Sequence, residues 1–434
     1  MKKFLLLFIL FAWTANCSKD TDVATENLAV NSEQSISGQN SSNQSTGSEV
    51  EVNDFDGDGV EDNLDYYPYN PYKTTDDWGQ IVDQYPSVYA ASDITEINRK
   101  GLEDDLRLAA DYFGKYEVEW WAVGREINAM LDLASDWCDR RIERGQLWYY
   151  DEFKKDLVRL KSICMSQVAH PHASLEWNGN KNTGGTNFTS DLSSYEGWME
   201  KYRKIGLNLP SGSANAGMVR NSGYTATQSS IPFQYDPLTI PAGYEWISKE
   251  EHSIMVFHEY YHITQAQNVM AKEEIVDETG NTVRPEYGPT AFSEGPANYI
   301  SQYLIRELSN NGTYKASTKA NSNLKDLMRG DMERIQEMLK GCPDFKLEEL
   351  NYGNPCDPYM FGQWAAAYLT NKVGNMYVFH DVFWPKINEM TFIGAFEDTF
   401  DMTYDELNSE FRDFLKLPID EQLKVVPDIN FSSN

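Results

Sequence analysis

The first regular pattern in the chain lies in residues 93–116, where Ile97, Leu102, Leu106, Leu108, Ala109 and Phe113 recur at helical spacing. An amphipathic helix is predicted there. The next seven residues, "EVEWWAV", are short, apolar and rich in Val and Trp, and predict a strand. Its Trp120 and Trp121 are expected in a core strand rather than on a carbohydrate-stacking platform. Helical spacing returns in 124–144 and 150–171, the latter closed by Pro171. Between about residues 175 and 245 Asn, Gly, Ser and Pro accumulate and periodicity fades. Loops and short strands are expected, including "GMVRNSG" and "SSIPFQYDP". From 248 to about 415 the pattern is mostly helical, and no internal repeat is visible.

The helix beginning near Lys249 carries the candidate chemistry. Ser248 and Glu251 form a capping box, and Glu250 and Glu251 lie in the first turn, where the helix dipole favours negative charge. Further along, "FHEYYHITQ" places His258 and His262 at i and i+4 on one helix face, with Glu259 directly after the first. In a shuffled chain with the same six histidines and 67 acids this arrangement would arise roughly 0.01 times. Two imidazoles one turn apart can reach one metal ion, and a catalytic site needs a third protein ligand. The best remaining acid is Glu294, in "AFSEGPANYISQYL", 32 residues beyond His262.

The His258-Glu259-x-x-His262 motif followed by Glu294-Gly295-x-Ala297 resembles the gluzincin superfamily of zinc peptidases, and "YMFGQWAAAYLTNKVG" (359–374) is similar to the Tyr-x-x-Gly helix common in that group. The resemblance spans roughly 90–417. It implies a zincin-like α+β domain, predominantly helical in its C-terminal half, with Zn2+ on His258, His262 and Glu294. It also implies Glu259 as the general base, Tyr359 as donor to the developing oxyanion, and Asn298 in the place of an aspartate that orients a ligand histidine. The histidine-rich continuation of metzincins is absent. So is a Gly-x-Met-Glu-Asn segment for gripping a free amino terminus, which favours endopeptidase over exopeptidase action and leaves both open. His380 stays a further candidate transition-state donor, whereas His170, His172 and His252 are expected to be structural or on the surface. The reading is a zinc metallopeptidase acting on protein or peptide. The alternatives are a catalytically silent binding module of the same fold and zinc hydrolysis of a non-peptide bond.

Composition narrows the setting. With 37 basic against 67 acidic residues the formal charge is −30, which repels nucleic acid and anionic lipid. Lys2, Lys3 and the apolar run Phe4–Trp13 read as an export signal. "TANC" resembles a bacterial lipobox, which implies lipidation at Cys17 and anchoring to an outer membrane or cell surface. Residues 18–50, poor in large apolar side chains, read as a flexible tether. Behind it, "DFDGDGVEDNLDYYPYNP" places Asp54, Asp56, Asp58, the Val60 carbonyl, Asp62 and Asp65 at the ligand positions of a Ca2+ loop, and is similar to a thrombospondin type 3 repeat. With Cys17 lipidated, four cysteines remain. Proximity favours Cys138 with Cys164 and Cys342 with Cys356 among three connectivities. The expected organisation is thus a signal peptide (1–17), a tether (18–50), a calcium connector (51–74), and a catalytic domain with an N-terminal α+β part (75–247) and a helical zinc-binding part (248–434).

Overall fold

Strand β1 (Ser87–Ala90) leads into helix α1 (Glu96–Phe113), which starts where the Thr95 side chain accepts the Asn98 N–H and stops at Gly114, whose φ of 101° is open to glycine. The buried face of α1 carries Asn98, Leu102, Asp105, Leu106, Ala109, Ala110 and Phe113. Ile97, expected among the inward residues, is 56% exposed, because it stands about 100° around the helix from the buried stripe that starts at Asn98. Strand β2 (Val118–Val123) follows as expected, with Trp120 and Trp121 buried in the core.

The computed structural model describes residues 82–123, 127–145, 147, 150–168, 214–219, 222–229, 248–269, 275–276, 282–283, 288–317, 323–351, 354–387 and 390–432. The expected lipid site Cys17 and calcium ligands Asp54, Asp56, Asp58, Val60, Asp62 and Asp65 lie outside them, as do the signal peptide, the tether, His170, His172 and Pro171.

Helix α2 (Ile127–Glu143) matches its expected segment. The segment 150–171 instead forms two helices, α3 (Tyr150–Phe153) and α4 (Leu157–Val168), because Asp156 caps a new start by accepting the Arg159 N–H at 3.0 Å. Strands β3 (Ala214–Val219) and β4 (Ser222–Ser229) pair antiparallel and take in Gly217–Val219 and Ser222–Gly223 of "GMVRNSG". Of "SSIPFQYDP" only Ser229 is described. The four strands make one mixed sheet in the order β1-β2-β4-β3, parallel except at β3.

Helix α5 (Lys249–Val269) begins at the capping box: Ser248 N–H donates to Glu251 at 2.7 Å and Glu251 N–H to Ser248 Oγ at 3.2 Å. After a two-stranded hairpin, β5 (Ile275–Val276) and β6 (Thr282–Val283), come α6 (Thr290–Asn310), α7 (Leu324–Met338) and α8 (Pro358–Val373). A π-helical turn, Phe379–Phe383, runs into α9 (Trp384–Ile387), and α10 (Phe392–Phe400), α11 (Tyr404–Phe414) and α12 (Ile419–Gln422) close the chain. The fold class is α+β, mostly helical.

Two apolar cores share the sheet. The larger joins α1 and Trp120 to α5, α6, α8 and the C-terminal helices; the smaller joins Trp121 to α2 and α4. Neighbouring strand residues point to opposite faces, so the tryptophan pair supplies one ring to each core. Cys138–Cys164 pins α2 to α4 in the smaller core, and Cys342–Cys356 is the second disulfide; both match the pairing that proximity favoured. Among the described residues, no helix is long and apolar enough to cross a membrane.

Candidate metal centre

Helix α5 is buried on nearly every side, with Met255, Val256, Phe257, Tyr260, Tyr261, Ile263 and Ala266 in the core. It carries polar groups inside with it, and buried polar groups need partners. Tyr260 donates its hydroxyl to the Gly114 carbonyl at 2.8 Å, tying α5 to the end of α1. His252 lies 4.0 Å from buried Asp105, and burial lowers its pKa to about 3, so it is a neutral structural histidine. Glu250 accepts the Ser317 N–H at 2.5 Å.

Helix α6 brings Glu294. Its depth is set where α6 crosses α8 without side chains between them: a Cβ on Gly295 would stand 2.2 Å from the Gly362 carbonyl carbon, and one on Gly362 would stand 2.1 Å from the Ala291 oxygen. Only hydrogen fits at both positions.

The result is a closed triangle. His258 Nε2 and His262 Nε2 are 3.0 Å apart, and each lies 3.2 Å from Glu294 Oε2. His258, His262 and Glu294 are buried, and they are the group of metal-ligating side chains that the described residues bring within 4.8 Å of one another. Tetrahedral bonds of about 2.0–2.1 Å would hold ligand atoms about 3.3–3.4 Å apart, so a small divalent ion enters by widening the triangle a few tenths of an ångström. The residues fit a metal ion.

Charge points the same way. Burial opposes ionisation of Glu294, but the two imidazoles beside it hold its carboxyl well below the usual range. For His262 burial acts to lower the pKa, and the charge and hydrogen bond of Glu294 outweigh it, to about 9. For His258 burial dominates and the pKa is lowered, with Glu294, as hydrogen-bond acceptor and as charge, and the Asn298 side chain acting in the opposite sense. The shifts of His262 and Glu294 thus share one cause, the attraction between ring and carboxylate.

The structure brings the other expected residues to this triangle. Glu259, almost fully buried, acts electrostatically on His262. The Tyr359 ring lies 6.4 Å from the His258 ring, held at the start of α8 where its N–H donates to Asp357 Oδ1 at 2.8 Å. Asn298 acts on His258 in the direction of a higher pKa. His380, by contrast, packs against Phe113 and Tyr261 at ring distances of 5.5 and 6.2 Å. One residue of the site escaped sequence reasoning: Gln265 Oε1 is 2.6 Å from His262 Nδ1. It closes the nonapeptide that drew attention to the site, and its i+3 spacing from His262 was the available signal.

No protein-family model, curated protein or solved structure is significantly similar to this chain.

Proposed function

We propose that this chain is a zinc-dependent peptidase of gluzincin type with a zincin-like fold, acting as an endopeptidase on protein or peptide substrates. The observation that carries the proposal is the closure of His258, His262 and Glu294 into one buried donor set with Glu259 beside it. Two nitrogens and one carboxylate oxygen suit a borderline cation, and leave a fourth position for water or substrate. Zinc, when bound there, supplies Lewis acidity towards a carbonyl oxygen and acidifies water.

The chain's own residues do the rest. Glu259 accepts the proton of the attacking water and returns it to the leaving amine, a task suited to a carboxylate shielded from bulk solvent. Tyr359, beside His258, donates its hydroxyl to the oxygen on which negative charge develops. The signal, Cys17 and the Asp54–Asp65 loop belong to the same proposal: a lipid-anchored surface hydrolase whose tether ends in a Ca2+-stiffened connector.

The test combines metal content by mass spectrometry with cleavage of casein and a peptide library. Wild type is expected to carry about one zinc per chain. His258→Ala and Glu294→Ala lose the metal, whereas Glu259→Gln keeps it and loses at least about a hundredfold in kcat. Zinc without cleavage of any peptide would point to the silent binding module; a metal-free wild type would remove the reading altogether.

A further inference from the structure

Beyond the ligands themselves, one hydrogen-bonded path determines which nitrogen of His262 faces the metal position. The Ser293 main-chain oxygen can only accept, and the side-chain nitrogen of Gln265 donates to it at 2.8 Å. That fixes the orientation of the amide. Its oxygen must then be the atom facing His262 Nδ1 at 2.6 Å, so Nδ1 must carry a hydrogen and donate it. The other ring nitrogen, Nε2, is the one directed at His258 and Glu294. A metal bound in the triangle meets the Nε2 lone pair, and the Nδ1 hydrogen is kept throughout.

Gln265 is fully buried, and its amide links both sides of the site: on α5 it holds His262, and on α6 it holds the carbonyl immediately before Glu294. We propose that Gln265 is the positioning residue of the metal centre, selecting the His262 tautomer and tying the third ligand's helix to the histidine helix with one amide. The proposal rests on the metal-centre reading above.

Three proteins decide the matter: wild type, Gln265→Met, which keeps the shape and removes both hydrogen bonds, and Gln265→Glu, which keeps only the acceptor for His262. Zinc affinity is measured by competition with a chromophoric chelator, and the His262 tautomer by 15N NMR on histidine-labelled full-length protein loaded with zinc, where six histidines give a sparse spectrum. Gln265→Met is expected to bind zinc roughly 10–100-fold more weakly and to lose the uniform Nδ1–H signal, while its metal-free circular dichroism stays that of wild type. Gln265→Glu is expected to retain Nδ1–H and to bind zinc more tightly than Gln265→Met. Wild-type zinc affinity in Gln265→Met, or an unprotonated Nδ1 in wild type, would overturn the proposal. A wild type that binds no zinc while showing Nδ1–H would sink the metal reading and reduce the amide to a structural contact.

Discussion

Few side chains here are as exposed to test as the buried acids. Glu294 keeps its charge because two imidazoles face one of its oxygens at 3.2 Å. Half-buried Asp331 on α7 has a weaker arrangement: partial burial pushes its pKa up to about 6, with Arg334 3.6 Å away opposing the shift and Asp357 adding to it. The folded pKa lies above the unfolded value, so the folded state binds the proton more tightly. Stability on this account is highest below about pH 4 and falls as pH rises towards 6. Asp331→Asn is expected to raise stability by about 1–3 kcal/mol at pH 8 and to change it little at pH 4. Thermal unfolding at the two pH values checks this, and an equal effect at both would refute it. At this scale the sequence was readable wherever partners are close in the chain: His258, Glu259 and His262 share one helix turn. Asp331 and Asp357 gave no signal, because burial and the approach of α7, α6 and the start of α8 to one another create their environment.

Helices α6 and α8 show what an element contributes beyond its residues. The motif context around Glu294 and Tyr359 was visible in the sequence, but the reason for its two glycines was not. Gly295 and Gly362 meet backbone to backbone, so a methyl group at Gly362 would run into the Ala291 carbonyl, 2.1 Å from an ideal Cβ. Gly362→Ala is expected to cost about 1–3 kcal/mol, and to weaken zinc binding because α6 moves with Glu294. Gly330, inside α7, provides the contrast: a Cβ there meets nothing within 4 Å. Gly330→Ala is expected to stabilise by roughly 0.5–1 kcal/mol and to leave zinc affinity unchanged. Denaturant titration and chelator competition on the two variants separate a lost helix contact from a general glycine effect; matching changes in both would discard the crossing as the determinant of Glu294. Element boundaries followed local chemistry in the same way. The Ser248 capping box marked the start of α5, whereas the break between α3 and α4 depended on which of several polar residues, Asp156 as it proved, became the cap.

The sheet organises the described residues, with a smaller core on the α2 and α4 side and a larger one packed around the helices that carry His258, His262 and Glu294. The Cys138–Cys164 bond spans 26 residues within the smaller core, and loop-closure entropy puts its contribution at about 3 kcal/mol. Replacing both cysteines with Ser is expected to lower the Tm through that core while zinc stoichiometry stays at wild type, as calorimetry and metal analysis would show. Loss of zinc in that variant would mean that the two cores unfold as one. The amino-acid sequence by itself determined the α+β class, the segment that starts α5, the His-Glu-x-x-His face, the nearest-neighbour cysteine pairing and the net charge. Each of these depends on spacing within a few turns or on bulk composition. The tertiary structure decided that Glu294 completes the donor set, that Gln265 orients His262, that Tyr359 rather than His380 stands beside His258, and that Ile97 faces outward. Those outcomes depend on how helices distant in sequence cross and rotate, which packing against a shared core sets and local periodicity does not.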